Sequence, residues 1–400
     1  MSIINNLRKI MTGSVLSQVI VISSLPFITQ LYNPEELGFY AMLLSLVSII
    51  GMVSSLRLER SLFSLYGSEE FSHRFSGAIS VSILSTLLLT FILYVLIKQN
   101  ILDIDKTLIP FISVWGWGVS IIQILTVFNS SYGNFGLIAK SSVVRSTVLV
   151  FFQVLLYFSL EPNIALIVSA ITSVFISVLI LGNNSNIKFE FINPLKYIKS
   201  KFFDCINGFF QSSFSAINNN ISIIIISQLW GVKSAGLFML SEKLIRVPIN
   251  LISNNLRPVL ANQFQTENNK NIKFIFKVSS ILFLLSMFFV VILMCSIDLM
   301  VSSFLGDEWL ESSSIIKILS FWVVFNFSSL PFQSFNIHFT EMKYTTFIEG
   351  VNLIIKVLGL STCYYMGGEL YSACIIIVFS SLVSLLLNVY VVILKLKVIS

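Results

Sequence analysis

Long apolar runs separated by brief polar breaks fill the chain from end to end. Runs near residues 11–30, 38–56, 77–97, 108–129, 143–160, 163–182, 206–229, 235–256, 277–297, 312–333, 347–366 and 370–394 each approach the twenty or so residues that a helix needs to cross a hydrocarbon core about 30 Å thick. They lack period-two alternation and are twice as long as a barrel strand, so the pattern predicts spanning helices rather than a β-barrel. The longest polar connection, about 183–205, is too short to fold as a separate domain. Function therefore has to reside in the helices and the short loops that join them.

Composition and charge sharpen this picture. With 56% hydrophobic and 11% charged residues, a chain of 400 residues has too little polar surface to be soluble. Placing the N-terminus inside puts 18 of the 25 Lys and Arg in cytoplasmic tails and loops and only Lys98, Lys106 and Lys233 outside. Segments held in the cytoplasm carry the positive charge, so both termini are expected there. The net charge of +6 is then a topology signal, and no nucleic-acid partner is expected. Arg8 and Lys9 precede the first run as in a signal peptide, but that run ends at Tyr32-Asn33-Pro34 without a small-residue cleavage site and is read as the first span. Cys205, Cys295, Cys363 and Cys374 show no metal or redox spacing, and His73 and His338 form no cluster, so neither metal nor cofactor is expected.

A shift of 198 residues brings the two halves into register. Gln30-Leu31-Tyr32 falls on Gln228-Leu229-Trp230, Gly38-Phe39-Tyr40 on Gly236-Leu237-Phe238, and Ser14 and Ser17 on Ser212 and Ser215. Six helices per half give both halves the same orientation. The expected fold is an all-α polytopic membrane protein of about twelve transmembrane helices, in two pseudo-symmetric six-helix bundles (residues 1–200 and 201–400) around a central cavity. In the seventh run Gln211, Ser215, Asn218 and Ser222 form one helical stripe, and the shifted positions Gly13, Ser17, Ile20 and Ser24 are mostly small. In the second run of each half, Ser45, Ser48, Met52 and Ser55 stand where the other half has Lys243, Arg246, Asn250 and Ser253. Small polar residues commonly serve helix packing. The cations call for another explanation.

A charge at the centre of a spanning helix costs roughly 2.5–3.5 kcal/mol on insertion scales. At about 1.5 Å per residue, Arg246 lies roughly 16 Å into its run and Lys356 roughly 13 Å into its own. Lys243 is shallower, and Lys317, roughly 8 Å in, is expected to reach the headgroups. Glu349, Asn352 and Lys356 share a helix face, and Glu242 and Arg246, at i and i+4, can pair. Two readings stay open. In one, these are internal ion pairs that lock helices together. In the other, Arg246, Lys356 and Lys243 form an anion site in a water-filled cavity lined by Asn250, Asn218, Gln211 and Ser215, with Glu242 and Glu349 pairing with the cations or Glu242 carrying a coupling proton. Pro26, near the middle of the first run, and Pro248, in the eighth, are candidate hinges or static kinks.

The first hairpin carries a recognisable string: Ser17-Gln18, then Leu25-Pro26-Phe27-Ile28-Thr29-Gln30-Leu31-Tyr32-Asn33-Pro34-Glu35-Glu36-Leu37-Gly38-Phe39-Tyr40, then Leu56-Arg57-Leu58-Glu59-Arg60. It resembles the opening of bacterial polysaccharide (Wzx-type O-antigen) flippases, within the multidrug/oligosaccharidyl-lipid/polysaccharide exporter superfamily. Beyond it, the likeness lies in the twelve-helix plan and in Arg246 and Pro248. The resemblance implies a non-enzymatic transporter of the bacterial inner membrane that moves an undecaprenyl-diphosphate-linked oligosaccharide to the outer leaflet by alternating access. Its implied partners are a polysaccharide polymerase and chain-length machinery. Arg57, Glu59 and Arg60 match a family pattern at the inner end of the second helix, where they would close a cytoplasmic gate; plain positive-inside anchoring is the competing account. Family members often carry Arg in place of Gln30 and Ala-Ile in place of Arg60-Ser61, so the sugar carried is not implied. A drug or peptidoglycan-precursor exporter of the same superfamily would share the architecture. A membrane polymerase would need a large outer loop, and the longest here, about 298–311, is short.

Overall fold

A computed structural model of the chain describes residues 2–62, 70–184, 189–190, 192–266, 272–339 and 342–399; within its helices some side chains, Gln211 and Pro248 among them, lie outside the described set. The helices are α1 (Ser2–Leu31), α2 (Pro34–Ser54), α3 (Glu70–Lys98), α4 (Ile109–Ser131), α5 (Phe135–Tyr157), α6 (Pro162–Gly182), α7 (Pro194–Ser200), α8 (Phe202–Leu229), α9 (Val232–Thr266), α10 (Ile272–Phe304), α11 (Glu311–Phe339), α12 (Met342–Tyr365) and α13 (Leu370–Ile399), and no strand occurs among the described residues. The twelve apolar runs are the twelve long helices. Ten of these are apolar enough, over their described residues, to cross a membrane. The other two, α8 and α9, are 28 and 35 residues long and carry the polar stripe and the cations. The protein is a multi-pass membrane protein.

Local chemistry explains several helix boundaries. At the start of α2 the Glu36 amide donates to Asn33 Oδ1 (2.9 Å) and the Asn33 amide to Glu36 Oε2 (3.0 Å), a reciprocal capping box around Pro34 at the first helical position. The long connection after α6 is not featureless. Asn193 Oδ1 accepts from the Leu195 and Lys196 amides and starts α7. Tyr197 of α7 is buried against α3 so closely that a Cβ on Gly77 would lie 2.4 Å from its ring. Arg74 of α3 holds Asp204 at 3.2 Å. Two expected boundaries are corrected. Helix α1 reaches back to Ser2, so Pro26 stands near its C-terminal end rather than its middle. Helix α10 continues to Phe304, which puts Asp298 inside it; there Asp298 binds Lys317 of α11 at 2.6 Å.

Close packing divides the chain into two units. One comprises residues 1–31 and 42–220, the other residues 32–41 and 221–400. In the first, α1 packs on α5, α5 on α6, α4 on α6 and α3 on α4; α2 meets α4 where Gly51 faces Val119 and Gly116 faces Ile50. In the second, α9 packs on α11, α12 on α13, α11 on α13 and α10 on α11. The 198-residue shift carries α2–α4 onto α9–α11, α3–α4 onto α10–α11, α4–α6 onto α11–α13 and α5–α6 onto α12–α13. These four pairings thus recur in both units. Lipid tails give apolar helices little reason to associate, so small residues and interhelical hydrogen bonds hold the pairs, at about 0.6 kcal/mol per bond. Ser141 and Ser177 join α5 to α6 at 2.7 Å, Asn129 reaches the Leu181 carbonyl at 3.0 Å, Ser279 donates to the Ser328 carbonyl at 2.8 Å, and Asn336 binds Asn388 at 3.0 Å.

Within the second unit the N-terminal turns of α2 and α9 cross in backbone contact. A Cβ on Gly38 would fall 1.8 Å from the Val232 carbonyl oxygen, and one on Gly236 would fall 1.9 Å from that of Pro34. Neither position has room for a side chain. The shift that maps Pro34 onto Val232 also maps Gly38 onto Gly236, so each half of the contact mirrors the other about a local two-fold.

Candidate functional site

Helix α9 is 35 residues long, about 52 Å at 1.5 Å per residue, so the run at 235–256 is only its central part. One helical turn separates Glu242 from Arg246, and the two bond at 2.8 Å between Oε1 and Nη2. The side chains keep 19% and 33% of their surface exposed. Both are thus largely withdrawn but reachable. The Arg246 guanidinium also lies over the indole of Trp322 on α11, 5.4 Å from the ring centroid. That distance is within cation–π range and adds an aromatic partner to the guanidinium. Arg246 Nε is buried with no hydrogen-bond partner among the described residues. Helix α11 can present Trp322 here because it packs on α9, α10 and α13.

Lys356 of α12 is partly buried and within electrostatic reach of both members of the pair, repelled by Arg246 and attracted by Glu242. One turn away on α12, Asn352 keeps a buried Oδ1 without a partner among the described residues. Lys243 is also partly buried, and no ion pair or hydrogen bond links it to the described residues. Glu349 is half-buried on the Lys356 face, and Asn250 is exposed. The structure thus brings Arg246, Glu242 and Lys356 into one cluster with Trp322. The first two were readable from their i,i+4 spacing. Trp322 was missed because it sits in an apolar run where an aromatic residue reads as core.

Ser215 and Asn218 are half-buried on α8, in the first unit. Gln211 and Pro248 lie in α8 and α9, but their side chains fall outside the described residues. Ser17, on the matching stripe of α1, accepts from Ser142 of α5 at 3.2 Å, so there the small polar face serves packing. The Leu56-Arg57-Leu58-Glu59-Arg60 segment forms a tight turn. Leu56 and Arg57 adopt left-handed backbone at φ 50° and 54°, the Arg57 amide donates to Ser55 Oγ, and a 3-10 turn follows. Glu59 is 7% exposed, with Oε2 lacking a partner among the described residues. Burial holds its carboxyl above the ordinary 4.5, against the lowering effect of its own amide, Ser55 and Arg57. Arg60 is exposed.

A profile of the family described as "Polysaccharide biosynthesis protein" matches residues 27–314, from the end of α1 into α11. The chain belongs to this family. It is also similar to the capsular polysaccharide biosynthesis protein CapF of Staphylococcus aureus, 24% identical over 342 residues that cover 82% of the chain and 83% of CapF. As a member of the family it shares its fold with solved transporters. The lipid II flippase MurJ in an inward closed conformation superposes with a TM-score of 0.77 at 14% identity, covering 98% of the chain and 89% of MurJ. A MATE transporter in a bent conformation gives 0.63 at 12% identity, covering 99% and 95%. A transporter of the MOP superfamily from Pyrococcus furiosus gives 0.62 at 12%, covering 98% and 95%. The two-bundle plan and the membership inferred from the first hairpin agree with these matches.

Proposed function

We propose that the chain is a flippase that carries an undecaprenyl-diphosphate-linked oligosaccharide, the repeat unit of a surface polysaccharide, from the cytoplasmic to the outer leaflet of the bacterial plasma membrane by alternating access. The observation that carries this reading is the Arg246, Lys356 and Lys243 set with Glu242, an excess of positive charge on otherwise apolar helices. An unbalanced charge at that depth is costly and is best repaid by an anionic cargo. A diphosphate offers two or more charges, and an arginine fork suits its oxygens. The family description and the names of CapF and MurJ support a lipid-linked glycan. In this reading the bundles are residues 1–200 and 201–400, both termini are cytoplasmic, Asn218, Ser215, Gln211 and Asn250 contact the glycan, and Pro26 and Pro248 flex. Arg57, Glu59 and Arg60 act at the cytoplasmic end, and a polymerase and chain-length proteins receive the product.

Deleting the gene should make lipid-linked repeat units accumulate in the cytoplasmic leaflet while surface polymer disappears. Wild-type protein should restore the polymer, and Arg246→Ala, at equal membrane abundance, should not. Units that accumulate facing outward would instead indicate a polymerase. The MATE-like fold favours a second reading, a drug exporter. The positive cluster favours an anionic cargo over a cationic drug, and a change in drug susceptibility with polymer intact would revive it.

A further inference from the structure

Arg246 is already occupied. Glu242, one turn before it, takes one terminal nitrogen at 2.8 Å, and the guanidinium carbon lies over the Trp322 ring, 5.4 Å from its centroid. We propose that Glu242 is an internal counter-anion that competes with the anionic group of the cargo for Arg246, so that loading exchanges a carboxylate for a phosphate rather than filling an empty site. The inference rests on the anion-site reading above and specifies how that site is regulated.

Three features of the cluster fit an exchange better than a fixed structural pair. Partners on one helix can separate by side-chain rotation alone, with no helix displaced, and both keep a path to water at 19% and 33% exposure. A guanidinium has five N–H donors, and the buried Nε has no partner among the described residues, so the fork retains capacity that Glu242 does not use. Lys356 attracts the Glu242 carboxylate and repels Arg246, so a displaced Glu242 meets a second cation at once. A site built this way binds its cargo less tightly than a bare arginine would, and releases it when the carboxylate returns. Tight binding alike at loading and release would slow turnover.

The test uses the full-length protein in lipid nanodiscs, with inorganic pyrophosphate as the probe and flipping of the lipid-linked cargo measured in parallel. Arg246→Ala should weaken pyrophosphate binding by at least about tenfold, and Glu242→Gln should strengthen it by about five- to tenfold, the scale of a partly buried charge pair. Transport by Glu242→Gln should show a lower KM and a lower maximal rate. Glu242→Asp, which keeps the charge but shortens the reach, should fall between wild type and Gln, and it serves as the check if the Gln variant folds poorly. If Arg246→Ala binds pyrophosphate as wild type does, the anion-site reading itself fails. If Arg246→Ala weakens binding while neither Glu242 variant strengthens it, the site stands and the counter-anion is overturned.

Discussion

At Arg246 charge, fork geometry and stacking can be removed separately. Arg246→Lys keeps the charge but loses the planar fork and its fit to Trp322, so transport should fall well below wild type while membrane insertion is unchanged. Trp322→Ala removes a cation–π contact of about 0.5–2 kcal/mol, and cargo affinity should drop by roughly two- to thirtyfold, with Trp322→Phe between the two. Glu59 gives a pH-dependent prediction. Its folded pKa is raised by burial, so its contribution to stability is fully present below the unfolded pKa near 4.5 and is lost as pH rises toward the folded value. Glu59→Gln should therefore raise the melting temperature in detergent at pH 7 by a degree or two and leave it unchanged near pH 4. The Glu242–Arg246 pair was legible because helical periodicity is local. Trp322 was not, since which residue of α11 meets α9 is decided by packing between distant segments. Nor was Glu59, which lies between two arginines and reads as a solvated turn until left-handed backbone at Leu56 and Arg57 folds it inward.

At the scale of elements, twenty-residue apolar runs were enough to locate the helices, whereas their ends were set by chemistry that hydropathy does not register. Asn33 and Glu36 cap α2, and Asn193 opens a short helix inside what looked like plain loop. Polar residues extend α9 to 35 residues because helical hydrogen bonding continues past the apolar run. Tyr197 fills the gap over Gly77, so Gly77→Val should dislodge α7 from α3 and increase protease cleavage near residues 189–200 without affecting insertion of the spans. Gly38→Val and Gly236→Val should each force the α2–α9 crossing apart and lower thermal stability by several degrees. Their double variant should cost less than the sum, because both break one contact.

For the whole molecule, the apolar runs and the repeat offset specified the plan, and the charge distribution predicts its orientation in the membrane. Reporter fusions at both termini should be active only in the cytoplasm, and one at residues 305–310, between α10 and α11, only outside. The four pairings that recur in both units make the duplication visible in packing as well as in sequence. The crossing of Gly38 with Gly236 has a further consequence. Between two separate half-length subunits it would be an isologous contact, in which each pairwise contact occurs twice and a charge introduced on one side is necessarily introduced on the other. A continuous chain escapes that constraint. Positions 45 and 48 remain serine while positions 243 and 246 are lysine and arginine. Covalent linkage of the halves is thus what allows a cation to be placed once, in one copy of a repeated sequence.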